Sequence, residues 1–186
     1  MKFFVFIISA LIPMLSYAQT NNSDLFWNHL SEQCGKAFTG TVLEAPADDD
    51  FRNHELVMYV RSCDESVITI PFFVGDDRSR TWVLTKKNDR IQLKHDHRHE
   101  DGSSDQITMY GGTTNNTGLE TLQTFPADQQ TADLIPAAAS NIWWIEVVPD
   151  EYFTYNLRRL GTDRFFSIRF NFKDETEIPP PAWGWE

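Results

Sequence analysis

Arg164-Phe165-Phe166-Ser167-Ile168-Arg169-Phe170-Asn171-Phe172 carries the plainest structural signal in the chain. Phe166, Ile168, Phe170 and Phe172 recur at every second position, with Ser167, Arg169 and Asn171 between them. Successive side chains of an extended strand point to opposite faces. The stretch therefore reads as a half-buried strand with one dry face and one wet face. Outward from it, the same enrichment in β-branched and aromatic residues marks strands over 38–45, 55–62, 67–74, 81–87, 90–99, 106–110, 119–125, 142–148, 152–159 and 164–172. The chain is predicted to be all-β.

Turn-forming residues punctuate these strands. Asn88-Asp89, Asp64-Glu65 and Gly161-Thr162 suit tight hairpins. Such short connections before residue 125 leave no room for parallel crossovers, so an antiparallel meander of about ten strands is expected. Gly111-Gly112 is read as ending a strand. Pro71, inside an apolar run, puts its strand at an edge or at a bulge. Residues 126–141, rich in alanine and broken by Pro136, suggest one or two helical turns, as a packed connection or as a lid or plug. A short N-terminal helix is expected, with Ser23 or Asp24 as cap, Leu25, Phe26 and Leu30 as its apolar face and Gly35 at its end.

A closed barrel would remove the exposed edges of such a meander. A β-sandwich is the alternative, since both show alternating strands and short turns. The barrel would be calycin-like, similar in architecture to lipocalins and fatty-acid-binding proteins. Gly40-Thr41-Val42 lacks the tryptophan of the lipocalin Gly-x-Trp opening, so the analogy carries no function. The domain reading is a signal peptide over 1–18, one barrel domain over 19–173, and a Pro/Trp-rich tail over 174–186.

Residues 1–18 combine Lys2, an apolar run from Phe3 to Leu15, and Ser16-Tyr17-Ala18 before Gln19. That is the layout of a secretory signal peptide, too short to serve comfortably as a membrane span. A periplasmic or extracellular, soluble protein is expected, with no stable membrane anchor. Export to an oxidising compartment favours a disulfide between Cys34 and Cys63. Net charge is −11, which argues against nucleic acid as a partner because phosphate binding needs a basic surface.

Leu93-Lys94-His95-Asp96-His97-Arg98-His99-Glu100-Asp101 holds three of the five histidines. On a strand, His95, His97 and His99 continue the face of Ile91 and Leu93, while Lys94, Asp96, Arg98 and Glu100 lie opposite. Imidazoles in such a row could bind zinc, copper or nickel, or move protons near neutral pH. The row departs from the metallo-β-lactamase pattern His-x-His-x-Asp-His at its last two positions, His99 and Glu100, and no histidine follows. Gly75-Asp76-Asp77-Arg78-Ser79-Arg80 reads first as a solvated turn. Its arginines could also clamp a carboxylate or phosphate. With Trp82 beside them, Arg78 and Arg80 join His95, His97 and His99 as ligand-binding candidates. Asp48-Asp49-Asp50 reads as a solvated loop. Trp143-Trp144 sends one ring to each face of its strand.

The stretches Phe73-Val74-Gly75-Asp76-Asp77-Arg78-Ser79-Arg80-Thr81-Trp82-Val83-Leu84 and Leu93-Lys94-His95-Asp96-His97-Arg98-His99-Glu100-Asp101-Gly102-Ser103, with Leu134-Ile135-Pro136-Ala137-Ala138-Ala139, resemble segments of uncharacterised secreted bacterial proteins. The resemblance implies a bacterial, exported protein and names no substrate or catalytic residue. Three functional readings follow. The first is a non-catalytic, small-ligand-binding barrel. The second is a transition-metal-binding protein or metal-dependent enzyme built on His95, His97 and His99. The third is an interaction module using the Trp183–Trp185 tail.

Overall fold

The structure, a computed structural model, describes residues 21–47 and 49–185. The 1–18 segment read as a signal peptide lies outside the described residues, as does Asp48 of the acidic triplet. Helix α1 (Asn22–Ser31) precedes the strands β1 (Ala37–Glu44), β2 (Leu56–Tyr59), β3 (Ser62–Cys63), β4 (Val67–Val74), β5 (Asp77–Lys87), β6 (Arg90–His97) and β7 (Tyr110–Thr113). Then come β8 (Leu122–Pro126), helix α2 (Gln129–Leu134), β9 (Asn141–Val148), β10 (Tyr152–Arg159) and β11 (Phe165–Thr176).

The strands form one antiparallel sheet in the order β7-β6-β5-β4-β2-β1-β11-β10-β9-β8, with β3 pairing β4 beside this path. The two ends of the sheet meet. Gly112 of β7 bridges Ala127 just past β8, and the Asp128 N–H donates to the Gly111 carbonyl at 3.0 Å. The sheet is thus a nearly closed barrel, and the sandwich alternative is set aside. Gly111-Gly112 therefore lie inside β7 and do not end a strand. A Cβ on Gly112 would overlap the Pro126 carbonyl oxygen, and one on Gly111 the Leu93 carbonyl oxygen. Only bare backbone lets the seam approach so closely.

Inward residues fill the barrel with Phe38, Met58, Ile70, Leu84, Leu93, Ile145, Phe153, Ile168 and Phe170, all essentially buried. The alternation read in the closing strand holds: Phe166, Ile168 and Phe170 are buried and belong to the core. Helix α1 packs Phe26, Trp27 and Leu30 into the same core. Its cap is Asn21, whose side chain accepts from the Asp24 N–H at 3.0 Å. The expected caps, Ser23 and Asp24, are the second and third residues of the helix, inside its first turn. Cys34 and Cys63 form a disulfide with Cα atoms 6.1 Å apart, tying the turn after α1 to β3. On the chain-entropy argument this closure contributes about 3.5 kcal/mol. Among the described residues, no helix is long and apolar enough to cross a membrane.

Several strand bounds differ from the sequence reading for tertiary reasons. β5 begins at Asp77, so Arg78-Ser79-Arg80 is strand and only Gly75-Asp76 turns. β7 occupies 110–113 in place of 106–110, because the seam recruits the glycines. Pro71 lies in an interior strand. It faces the gap where β2 gives way to β3, and Tyr59-Val60-Arg61 oppose Ile70-Pro71, so the bulge is in the neighbouring strand. The missing proline N–H costs no ladder bond there.

Lys94 and Asp96 lie on the outer face of β6, opposite Leu93 and His95, yet Lys94 is 6% and Asp96 only 2% exposed. Two distant segments cover it. Lys94 Nζ donates to Asp128 Oδ2 at 2.7 Å and to Gln130 Oε1 at 2.9 Å, both from the α2 region. The C-terminal segment folds back so that Trp185 Nε1 donates to Asp96 Oδ2 at 2.9 Å. The Trp185 ring lies against the guanidinium groups of Arg61 and Arg98, and the Trp183 N–H donates to the Arg78 carbonyl at 3.1 Å.

Candidate functional site

The β5–β6 register sets the site. Arg80 pairs with His97 and Trp82 with His95, so two candidate pairs from separate stretches share one wall. That wall borders a cavity of about 220 Å³ inside the barrel. Its apolar lining includes Phe51, Phe72, Trp82, Trp143, Leu157 and Phe166. The Trp82 ring stacks between Phe72, at 4.8 Å, and Tyr155, at 4.5 Å. Ile135 and Ala138, from the connection between β8 and β9, also line the cavity. That connection takes the helical form expected of it, with α2 followed by a 3-10 turn at Pro136–Ala138.

The polar wall consists of two histidine–tyrosine pairs. His95 is 4% exposed. Its Nδ1 lies 3.0 Å from the Tyr110 carbonyl oxygen, and its Nε2 lies 2.7 Å from the Tyr155 hydroxyl. The His95 ring stacks on Tyr110 at 4.7 Å. The Tyr110 hydroxyl lies 3.0 Å from His97 Nε2. Burial disfavours an imidazolium here and pushes His95 down to about 3. His97 is lowered as well, by burial first and by the charge of Arg80 second. Burial pushes the Tyr110 phenol up to about 12 and holds Tyr155 well above its ordinary value. All four groups are neutral at pH 7.

The formal charge at the mouth is cationic. Arg80, Arg159 and Arg164 line it, against one carboxylate, Asp49. Arg80 is paired with Asp77 and lies over the Phe51 ring. Arg159 Nε donates to Asn141 Oδ1 at 2.9 Å. Neither Arg159 nor Arg164 has an ion-pair partner among the described residues. In a chain of net charge −11, with Arg80 compensated by Asp77, Arg159 and Arg164 against Asp49 still leave the opening locally cationic, opposite in sign to the whole.

Two sequence candidates stand outside this site. β6 ends at His97, and His99 is exposed in the following turn, where its N–H donates to the Ser103 carbonyl. Arg78 alternates to the outer face of β5 and donates to the Pro181 carbonyl at 3.2 Å. Among the described residues, no group of three or more His, Cys, Asp or Glu side chains is placed to hold a metal ion. Trp143 points inward and Trp144 outward, where it stacks on Phe165.

Tyr110, Tyr155, Arg159 and Arg164 were not singled out from the sequence. A signal for two of them was present. Phe153, Tyr155, Leu157 and Arg159 alternate along β10, an inward apolar face that ends in a polar group, just as β6 does. Comparison with protein-family models, curated proteins and solved structures finds no match for this chain.

Proposed function

We propose that this is an exported, non-catalytic protein that binds a small organic anion inside its barrel. The observation that carries the reading is the pairing of an aromatic interior with three arginines at its mouth. The apolar body of the ligand would lie against Trp82, Trp143 and Phe166. Its acid group would meet Arg159 and Arg164, whose planar guanidinium forks match a carboxylate. The cavity of about 220 Å³ suits one ring with one or two substituents, since an apolar cavity of roughly 150 Å³ takes up benzene. Export is supported by the layout of residues 1–18 and by the Cys34–Cys63 disulfide, a bond favoured outside the cytosol. A periplasmic or extracellular location follows, and N-terminal sequencing of the mature protein should begin at Gln19.

Tryptophan fluorescence tests the binding reading, because Trp82 and Trp143 line the cavity. Benzoate should bind and benzamide, its neutral analogue, should bind far more weakly. An Arg159→Ala/Arg164→Ala double variant should lose roughly ten- to a hundredfold in benzoate affinity, the scale of charged hydrogen bonds. Equal binding of benzoate and benzamide, or no response to either up to millimolar concentration, overturns it.

A further inference from the structure

We infer that the cavity selects, among single-ring anions, those carrying a hydroxyl or amino hydrogen at the buried end, because Tyr155 is held as a hydrogen-bond acceptor. This rests on the anion-binding reading above and adds the ligand's second functional group. The argument runs from one carbonyl. The Tyr110 carbonyl oxygen can only accept, so His95 Nδ1, 3.0 Å away, carries a hydrogen. A neutral imidazole has one N–H, and the fully enclosed ring of His95 is neutral. Its Nε2 is therefore a bare acceptor. The Tyr155 hydroxyl, 2.7 Å from Nε2, can meet it only by donating. That commits the single O–H hydrogen of Tyr155. The Trp143 indole N–H, the other hydrogen-bonding neighbour of this oxygen, can only donate, so it takes one of the two lone pairs and leaves the hydroxyl hydrogen to His95. The lone pair left on Tyr155 can receive a hydrogen from a ligand and can give none. A ligand with a hydroxyl at this depth gains a hydrogen bond. One with an ether oxygen there sets two acceptors against each other and leaves both unsatisfied.

The test compares benzoate, meta- and para-hydroxybenzoate, and meta- and para-methoxybenzoate by fluorescence titration at pH 7, on the native protein and on Tyr155→Phe. At least one hydroxybenzoate should bind roughly tenfold more tightly than benzoate and than its methoxy counterpart. Tyr155→Phe keeps the ring that stacks on Trp82 and withdraws the acceptor oxygen that lies 2.7 Å from His95 Nε2, so the preference for hydroxybenzoate over benzoate should fall well below its native value of roughly tenfold. Circular dichroism checks that the variant folds. Should the variant not fold, the native protein's ranking of hydroxy over methoxy compounds still decides the matter. If hydroxybenzoates and benzoate bind equally, or methoxybenzoates bind best, the assignment of Tyr155 is overturned and the anion reading stands. If none of the five binds, the anion reading fails and this inference falls with it.

Discussion

Replacing Gly112 with alanine should open the barrel at its seam. The added methyl would overlap the carbonyl oxygen of Pro126. A backbone oxygen held in a strand cannot rotate aside, so β7 and β8 must part. Parting them breaks the Gly112–Ala127 bridge and the Asp128-to-Gly111 hydrogen bond of 3.0 Å. It also disturbs the Gly111 N–H donation to Thr131 Oγ1 at 2.6 Å, which anchors α2 to the seam. At about 1 kcal/mol for each backbone interaction lost, the cost is about 3 kcal/mol. In a chain of this size that lowers the thermal midpoint by roughly 6–12 °C. Gly161→Ala is the control. Gly161 has φ +75° and no atom within 4 Å of where a Cβ would sit, so only left-handed backbone strain of about 1 kcal/mol applies. Thermal and urea unfolding followed by circular dichroism give both values. If Gly112→Ala destabilises no more than Gly161→Ala, the two sheet ends are not joined there and the closed barrel is wrong.

Other outcomes follow from the same geometry. His95 stays neutral when folded, lowered to about 3 from 6.5, whereas the unfolded chain takes up a proton below 6.5. The stability is therefore complete above that pH and is lost as pH falls from 6.5 towards 3, by about 2 kcal/mol between pH 7 and pH 5. Urea titrations at both values should show the drop and its reduction in His95→Gln; an unchanged drop in the variant would refute the assignment. Ending the chain after Glu177 removes the Trp185–Asp96 and Trp183–Arg78 hydrogen bonds. This should cost about 2 kcal/mol in urea unfolding; an unaltered midpoint would mean that the tail does not dock. Zinc titration of untagged protein at neutral pH should reveal no stoichiometric site tighter than roughly 0.1 mM, since both His95 nitrogens already have protein partners and His99 stands off the strand. Stoichiometric zinc that is lost in a His95→Ala/His97→Ala variant would reinstate the metal reading.

Local periodicity decided a good part of this molecule. The alternation of Phe166, Ile168 and Phe170 identified the dry face of β11. The same logic put Ile91, Leu93, His95 and His97 on one wall of β6, where the cavity lies. The disulfide needed no structure, because two cysteines allow one pairing. These features depend on neighbours two to a few residues apart, which a sequence displays directly.

What periodicity reports is which side a residue takes, and never what lies across from that side. Lys94 and Asp96 were placed correctly on the outer face of β6 and still proved buried, because α2 and the C-terminal tail settle over them. Closure was equally illegible. The seam joins Gly112 to Ala127, and β1 finds β11 across most of the chain. Such pairings carry no local pattern and are chosen by the whole sheet's need to pair its edges. The cationic mouth arises the same way. Arg80 was visible as a candidate, but Arg159 and Arg164 join it only because the closed ring places β10 and the turn after it opposite β5. Strands, faces and the disulfide follow from short-range geometry. Barrel over sandwich, the cover on β6 and the arginine rim come from long-range packing, because each depends on residues distant in sequence meeting in space.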